Sequence, residues 1–327
     1  MYTITELQSL ISSEIAQEIN LINQTTPQNL YEPIGYSLTM GGKRLRPVMV
    51  LLAYNLFNKT IENAFPAALA IEVFHNFTLL HDDIMDQAEM RRNSLSVYKK
   101  YNENIAILSG DAMSIMAYNH LLRYQLDNLP SMIRLFSQTA LEVCEGQQLD
   151  MDFETRMDVS ISEYMNMIRQ KTAVLLACSL KIGAMAAQAP EQAADLLYAF
   201  GLNLGIAFQL QDDLLDVYGD QSKFGKKTGG DIVSNKKTFL LLKALELSDD
   251  NTKTILQDWI TRTEFDAEKK IRVITDIYNQ LNIRVITEKC MDEFYQSALA
   301  IWEQIDLELD AKTGLLHLAN MIMNRDH

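Results

Sequence analysis

His81-Asp82-Asp83-Ile84-Met85-Asp86 closes an apolar run that begins at Ala67, and Asp212-Asp213-Leu214-Leu215-Asp216 closes a second that begins at Phe200. Both runs carry apolar residues at helical spacing. Residues four apart share a helix face, so Asp82 pairs with Asp86 and Asp212 with Asp216. Like charges at that spacing destabilise an isolated helix, and one such cluster alone reads equally well as a solvated acidic face. Two clusters of one pattern, each ending a strongly apolar helix, stand where the chain enters or leaves a core. Carboxylates placed there need a cation. Oxygen donors with no Cys and little His select Mg2+ over zinc, and Mg2+ usually shares its shell with substrate phosphates.

The pattern extends outward from these runs. Helical periodicity predicts helices over about 45–57, 67–85, 101–127, 131–150, 161–187, 191–219 and 235–248, and again from 266 to 325. Breakers fall at the expected ends: Gly41-Gly42, Pro130, Pro190, and the cluster Gly225…Gly229-Gly230. Ile-Arg-Val-Ile-Thr occurs at 271–275 and again at 283–287. Alone it is strand-like, but its helical flanks place both copies in helix. With 6 Pro and 13 Gly in 327 residues, no stretch resembles a linker. The expectation is an all-α bundle forming a single domain over residues 1–327.

Composition removes several function classes. Against 29 Lys and Arg stand 43 Asp and Glu, a formal charge of −14, which disfavours nucleic acid and anionic membrane surfaces. Cys144, Cys178 and Cys290 are widely spaced and suggest neither a disulfide framework nor a structural zinc site. The first sixteen residues lack the basic and apolar blocks of a signal peptide, and no apolar run approaches the ~18 residues of a membrane span. A soluble, cytoplasmic protein is expected, and the N-x-[ST] matches at Asn23 and Asn76 are then chance.

In so acidic a chain the basic residues are informative. Lys43, Arg44 and Arg46 lie behind two glycines, Arg91-Arg92 follow the first acidic cluster, and Lys226 and Lys236-Lys237 follow the second. Arg offers a planar fork to phosphate oxygens and Lys a point charge. A lone basic pair is usually a solvated face; the same arrangement after both clusters is not. Gly225-Lys226 is no nucleotide loop, since its glycine spacing and the Lys227 that follows are both wrong for one.

Together these residues resemble the trans-type isoprenyl diphosphate synthases, over essentially the whole chain. The resemblance rests on Gly41-Gly42-Lys43-Arg44-Leu45-Arg46-Pro47, the first acidic cluster with Arg91-Arg92, Ser109-Gly110-Asp111, Lys171-Thr172, Phe208 to Asp216, and Gly225-Lys226…Gly230-Asp231…Lys236. It implies a bundle around a deep central cavity, usually a homodimer, with the acidic clusters facing each other at the mouth. By position, Asp82 and Asp86 bind two Mg2+ ions and Asp212 a third, with Asp83, Asp213 and Asp216 assisting directly or through water; Mn2+ can substitute. Arg91, Lys171, Lys226 and Lys236 hold the allylic diphosphate (dimethylallyl, geranyl or farnesyl). Lys43, Arg46, His75 and Arg92 hold isopentenyl diphosphate. Thr172 and Gln209 turn oxygens towards an allylic carbocation. The registry of His75, two turns before Asp82 on one face, favours that ligand role over a core role. His81 is read as structural.

Phe77 and Phe74 stand five and eight residues before Asp82, about 7.5 and 12 Å along the helix at ~1.5 Å per residue. They could floor the cavity, with small Thr78 beside them, and the resemblance then implies a C15 to C20 product, C20 favoured. Asn93 and Asn235 replace the family's usual glycines in positions where Asn also tolerates a left-handed backbone. A non-catalytic partner subunit would have lost acidic or basic motifs, and an ionising terpene cyclase would not need Lys43 and Arg46. Both readings are disfavoured.

Overall fold

The computed structural model describes residues 2–219, 228–307 and 309–324. Helices dominate it: α1 (Ile4–Ile22), α2 (Gln28–Thr39), α3 (Leu45–Asn55), α4 (Phe65–Met85), α5 (Val97–Lys100), α6 (Glu103–Leu121), α7 (Leu129–Thr155), α8 (Ile161–Ile168), α9 (Val174–Ala186) and α10 (Glu191–Tyr218). After the undescribed stretch come α11 (Gly230–Val233), α12 (Phe239–Leu247), α13 (Asp250–Thr261), α14 (Ala267–Gln280), α15 (Ile283–Glu303) and α16 (Leu309–Met323). Both copies of Ile-Arg-Val-Ile-Thr are helical, in α14 and α15, so flanking periodicity outweighs the β-branched residues.

Two features depart from the expected outline. The helix expected over 161–187 is broken by a π-helical turn at Arg169–Ala173. A two-residue strand pair, Met90–Arg91 with Ser94–Leu95, follows α4 where a plain loop was expected. Arg92 and Asn93 connect these strands at φ +50° and +63°, the left-handed pair that a tight two-residue hairpin requires.

The chain divides into two compact units, each drawn from non-contiguous stretches. One comprises Met1–Ser137, Cys178–Tyr198 and Asp306–Leu318; the other comprises Gln138–Ala177, Ala199–Ile305 and the stretch from Ala319. In the first, α4 packs along α6 and against α3. Its interior is built from Val48 to Ala53 and Ala67 to Val73 with Ala106, Met113 and Ala117, all buried. Alanines dominate that face of α4, and small side chains let helix axes approach closely.

In the second unit, Phe153, Tyr164, Ile168, Ala173, Ile206 and Leu210 form one apolar cluster. Leu214, Ile232, Leu240, Trp259, Ile274 and Tyr278 form another. A Cβ on Gly205 would lie 2.6 Å from the Ala173 Cα, so Gly205 is there for close helix packing. Among the described residues one helix, α10, is long and apolar enough to cross a membrane, and half of its most apolar window is buried. Phe200, Leu204, Ile206, Ala207, Leu210 and Leu214 are among its buried residues near the second acidic cluster.

Candidate active site

In the first unit the aspartates end α4, where Asp86 caps the helix by donating its N–H to the Asp82 carbonyl at 2.8 Å. Asp83 turns inward, 2% exposed, and accepts from Arg91 Nε at 2.8 Å and from its Nη2 at 2.5 Å. Burial raises the Asp83 pKa, with Arg91 opposing. The same Nη2 stands 3.7 Å from Asp82 Oδ2. The hairpin therefore brings Arg91 back over the helix end, and the middle carboxylate is taken up in holding it there.

The basic residues behind the glycines gather at the neighbouring spot. Arg46 Nη1 lies 3.1 Å from His75 Nε2, and Arg92 donates to the Gly41 carbonyl. Gly42 sits at φ +122°, and a Cβ there would fall 2.6 Å from the Arg92 guanidinium carbon, so both backbone and space demand glycine. Arg44, left-handed at φ +50°, opens α3. Its guanidinium pairs with buried Glu72 and donates to the Leu38 carbonyl at 2.6 Å. Asn76 Nδ2 donates to the same Glu72 carboxylate at 2.9 Å. Burial, then Arg46, Arg92, Arg91 and Arg44, push the His75 pKa well below the usual range. A neutral imidazole among guanidiniums is a donor set for an anion. Lys43 belongs to the same loop, its carbonyl accepting from Gln8 Nε2 at 2.9 Å.

Phe74 and Phe77 lie 5.4 Å apart, centroid to centroid. Phe77 stacks edgewise on His81 at 4.8 Å and Phe74 on Phe136 at 5.1 Å. Phe74 is 2% exposed, a packed ring; Phe77 is partly exposed. Thr78 turns its hydroxyl back onto the His75 carbonyl at 2.8 Å. His81 meets the Ile107 carbonyl at 3.2 Å, a structural contact.

In the second unit, α8 opens with a capping box between Ser160 and Glu163 and runs into the π turn that carries Lys171 and Thr172. A Cβ on Gly146 would fall 2.3 Å from the Lys171 nitrogen, so the turn rests directly on α7. Lys171 Nζ pairs with Asp150 at 2.5 Å. Thr172 Oγ1 donates to Gln209 Oε1 at 2.9 Å, and Gln209 Nε2 donates to Asp213 Oδ1 at 3.0 Å. Tyr164 donates its hydroxyl to the other oxygen of Asp213. Burial raises Asp213 to about 7, with Lys236 opposing most strongly. Asp216 Oδ2 accepts the Asp231 N–H at 3.0 Å, tying α11 to the second cluster. Asp231 is itself raised to about 6, chiefly by burial. Lys226 lies outside the described residues.

Thus Arg46, His75, Arg91 and Arg92 come together on the side of the first aspartate cluster, with Lys43 exposed on the adjoining loop, and Lys171, Thr172, Gln209 and Lys236 gather on the side of the second. Asp150 and Tyr164 are additional members that sequence reading missed, and Asp231, quoted in a motif, had no role assigned to it. Asp150 and Asp152 are two apart and lack the four-residue spacing that marks the others; Tyr164 is a lone aromatic 49 residues from its partner.

Among the described residues no three His, Cys, Asp or Glu groups converge into a ready-made metal cage. Asp83 and Asp213 are the most deeply engaged, at 2% and 3% exposure; Asp82 with Asp86 in the first unit, and Asp212 with Asp216 in the second, are the carboxylate pairs one helix turn apart, and both pairs are oxygen donors. Few carboxylates per ion, completed by water and phosphate, is how Mg2+ is usually held. The donor set fits it.

The sequence profile of the polyprenyl synthetase family matches residues 27–278. The chain is 35% identical to the geranylgeranyl diphosphate synthase of Methanosarcina mazei over 339 residues, covering 100% of this chain and 99% of that one. A crystal structure of a geranylgeranyl pyrophosphate synthase superposes with TM-score 0.93 at 43% identity, over 99% of each chain. That of the Pyrococcus horikoshii geranylgeranyl pyrophosphate synthetase does so with TM-score 0.90 at 31% identity, over 98% of this chain and 99% of that one. On these grounds the chain belongs to the polyprenyl synthetase family, as a trans-isoprenyl diphosphate synthase of the short-chain type.

Proposed function

We propose that the protein lengthens an allylic diphosphate with isopentenyl diphosphate, depends on Mg2+, and releases a C20 product, with C15 the shorter limit. The observation that carries the reading is a second basic cluster: Arg46 beside His75, with Arg92 next to it. An enzyme that only ionised one diphosphate would not need it. The C20 preference draws on the relatives named geranylgeranyl diphosphate synthase.

Mg2+ bound by Asp82, Asp86 and Asp212 would neutralise the leaving diphosphate as the allylic C–O bond breaks. Arg91, Lys171 and Lys236 hold the phosphate oxygens of the allylic substrate, with Lys226 assigned there by its motif. Lys43, Arg46, His75 and Arg92 hold the isopentenyl diphosphate so that its double bond meets the allylic carbon. Asp83 positions Arg91, and Asp213 positions Gln209, each as a hydrogen-bonded carboxylate. Thr172 and the Gln209 side-chain carbonyl turn oxygens towards the place where positive charge develops. The departing diphosphate accepts the final proton.

A homodimer acting in the cytoplasm completes the proposal. Leu108, Ile115 and Leu122, seven residues apart along and just beyond α6, are 59%, 61% and 57% exposed. Solvent-facing leucine and isoleucine at that spacing form a stripe suited to a second helix.

The test incubates the protein with labelled isopentenyl diphosphate, each allylic diphosphate in turn, and Mg2+, then separates the dephosphorylated products by length. A C20 alcohol is expected. Unextended substrate would refute the reaction, and a hydrocarbon product would identify a cyclase instead.

A further inference from the structure

Lys270, on α14, is fully buried at 0% exposure. An ammonium is tolerated in such a place only where its donors are met. Its Nζ donates to Asn235 Oδ1 at 2.5 Å and to the Val233 carbonyl at 3.2 Å, and lies 4.2 Å above the Phe265 ring. Among the described residues no carboxylate lies within ion-pairing distance of it. Both acceptors belong to the turn immediately before Lys236.

Asn235 is the hinge of that turn. It holds φ +59°, donates from Nδ2 to the Ile260 carbonyl at 3.1 Å, and accepts at its own carbonyl from Lys237 Nζ at 3.2 Å. At its other end the segment is fixed to the second aspartate cluster through Asp231 and Asp216. Lys236 therefore leaves a backbone held on both sides, and the clamp on the far side is Lys270.

We infer that Lys270 is a positioning residue: a buried cation that fixes Asn235 and so aims Lys236 at the allylic diphosphate. A lysine kept at 0% exposure without a carboxylate contributes nothing through an ion pair; its hydrogen bonds go to the turn, with the Phe265 ring the other electrostatic partner of its ammonium. The inference rests on the proposed role of Lys236 as a diphosphate ligand, and the test separates the two.

Binding of inorganic diphosphate in excess Mg2+ is measured by titration calorimetry for the wild type, Lys236→Ala, Lys270→Met, Asn235→Gly, and Lys270→Met with Asn235→Gly. Steady-state kinetics on the same proteins give both Michaelis constants. Lys236→Ala and Lys270→Met should each weaken diphosphate binding about tenfold, the scale of one charge-assisted contact. The KM for the allylic substrate should rise in step, while that for isopentenyl diphosphate stays within about twofold, a split that a general loss of folding would not produce. The double variant should be no worse than the weaker single one, because both remove one link. Should Lys270→Met fail to fold, Asn235→Gly keeps a residue suited to positive φ and carries the same expectation.

Weakening by Lys236→Ala alone would overturn the inference and leave the function standing. Multiplying effects in the double variant would overturn it as well. Normal binding by Lys236→Ala would sink the ligand role and the inference together. Absence of any prenyl product from the wild type would refute the proposed reaction, with calorimetry still deciding on Lys270.

Discussion

Glu72 is buried at 2% exposure, and its guanidinium partner Arg44 stands at the start of α3 between Lys43 and Arg46. Breaking a buried pair by removing one partner leaves the other uncompensated, which typically costs about 3–5 kcal/mol. Glu72→Gln should lose stability on that scale in urea unfolding, and the surviving enzyme should show a raised KM for isopentenyl diphosphate. A loss under about 1 kcal/mol would mean that the bond from Arg44 to the Leu38 carbonyl holds the loop without the carboxylate. His120 gives a second expectation. It is 2% exposed, faces Glu18 at 3.4 Å with Arg123 alongside, and burial ahead of Arg123 lowers it to about 4. The unfolded chain takes up this proton near pH 6.5 and the folded one only near 4, so acidification across that window favours unfolding, by up to about 3 kcal/mol. The drop in unfolding midpoint between pH 7 and 4.5 should be smaller in His120→Asn than in the wild type; an equal drop would assign the acid sensitivity elsewhere. The spacing of Asp82 with Asp86 and Asp212 with Asp216 could be read from sequence because one helix turn determines it. The separate tasks of Asp83 and Asp213 could not, because each depends on a partner that only tertiary structure supplies.

Elements were legible where periodicity was long and illegible where the backbone departs from it. Helices α4 and α10 begin and end close to expectation. The π turn in 161–187 leaves the apolar pattern almost unchanged while shifting which side chains point inward, so Lys171-Thr172 was found by motif and its geometry was not. Gly146→Ala tests that geometry. The new Cβ would meet the Lys171 backbone at 2.3 Å, and turnover should fall at least about tenfold while helical content persists, since a small misplacement of a positioning group is expensive in rate. Unchanged turnover would show that the turn yields. The strand pair was missed because Arg92-Asn93 lacks the glycine that marks a two-residue hairpin. On α4 itself, Phe77→Ala alone or with Phe74→Ala should lengthen the product to C25 and beyond. Phe74 is wedged against Phe136, so its removal will also lower stability. An unchanged product distribution in the double variant would place the length limit on other residues.

At the scale of the molecule, the all-α fold followed from periodicity and the family from the order of its motifs. The two compact units did not, since each is assembled from stretches far apart in the chain and no linker marks the division. Asp82→Ala should lower turnover by orders of magnitude with an unchanged melting temperature, and chelation of Mg2+ should abolish activity reversibly; an Asp82→Ala enzyme near wild-type rate would refute the metal assignment. The stripe of Leu108, Ile115 and Leu122 bears on the proposed homodimer in a further way. A two-fold pair presents one surface to its own copy, so every substitution enters the contact twice. Ile115→Asp would set carboxylate against carboxylate and Ile115→Lys ammonium against ammonium. Each variant alone would be driven apart, whereas an equal mixture of the two would pair across the axis, giving an obligate hybrid in which one subunit can be inactivated while its neighbour is left intact.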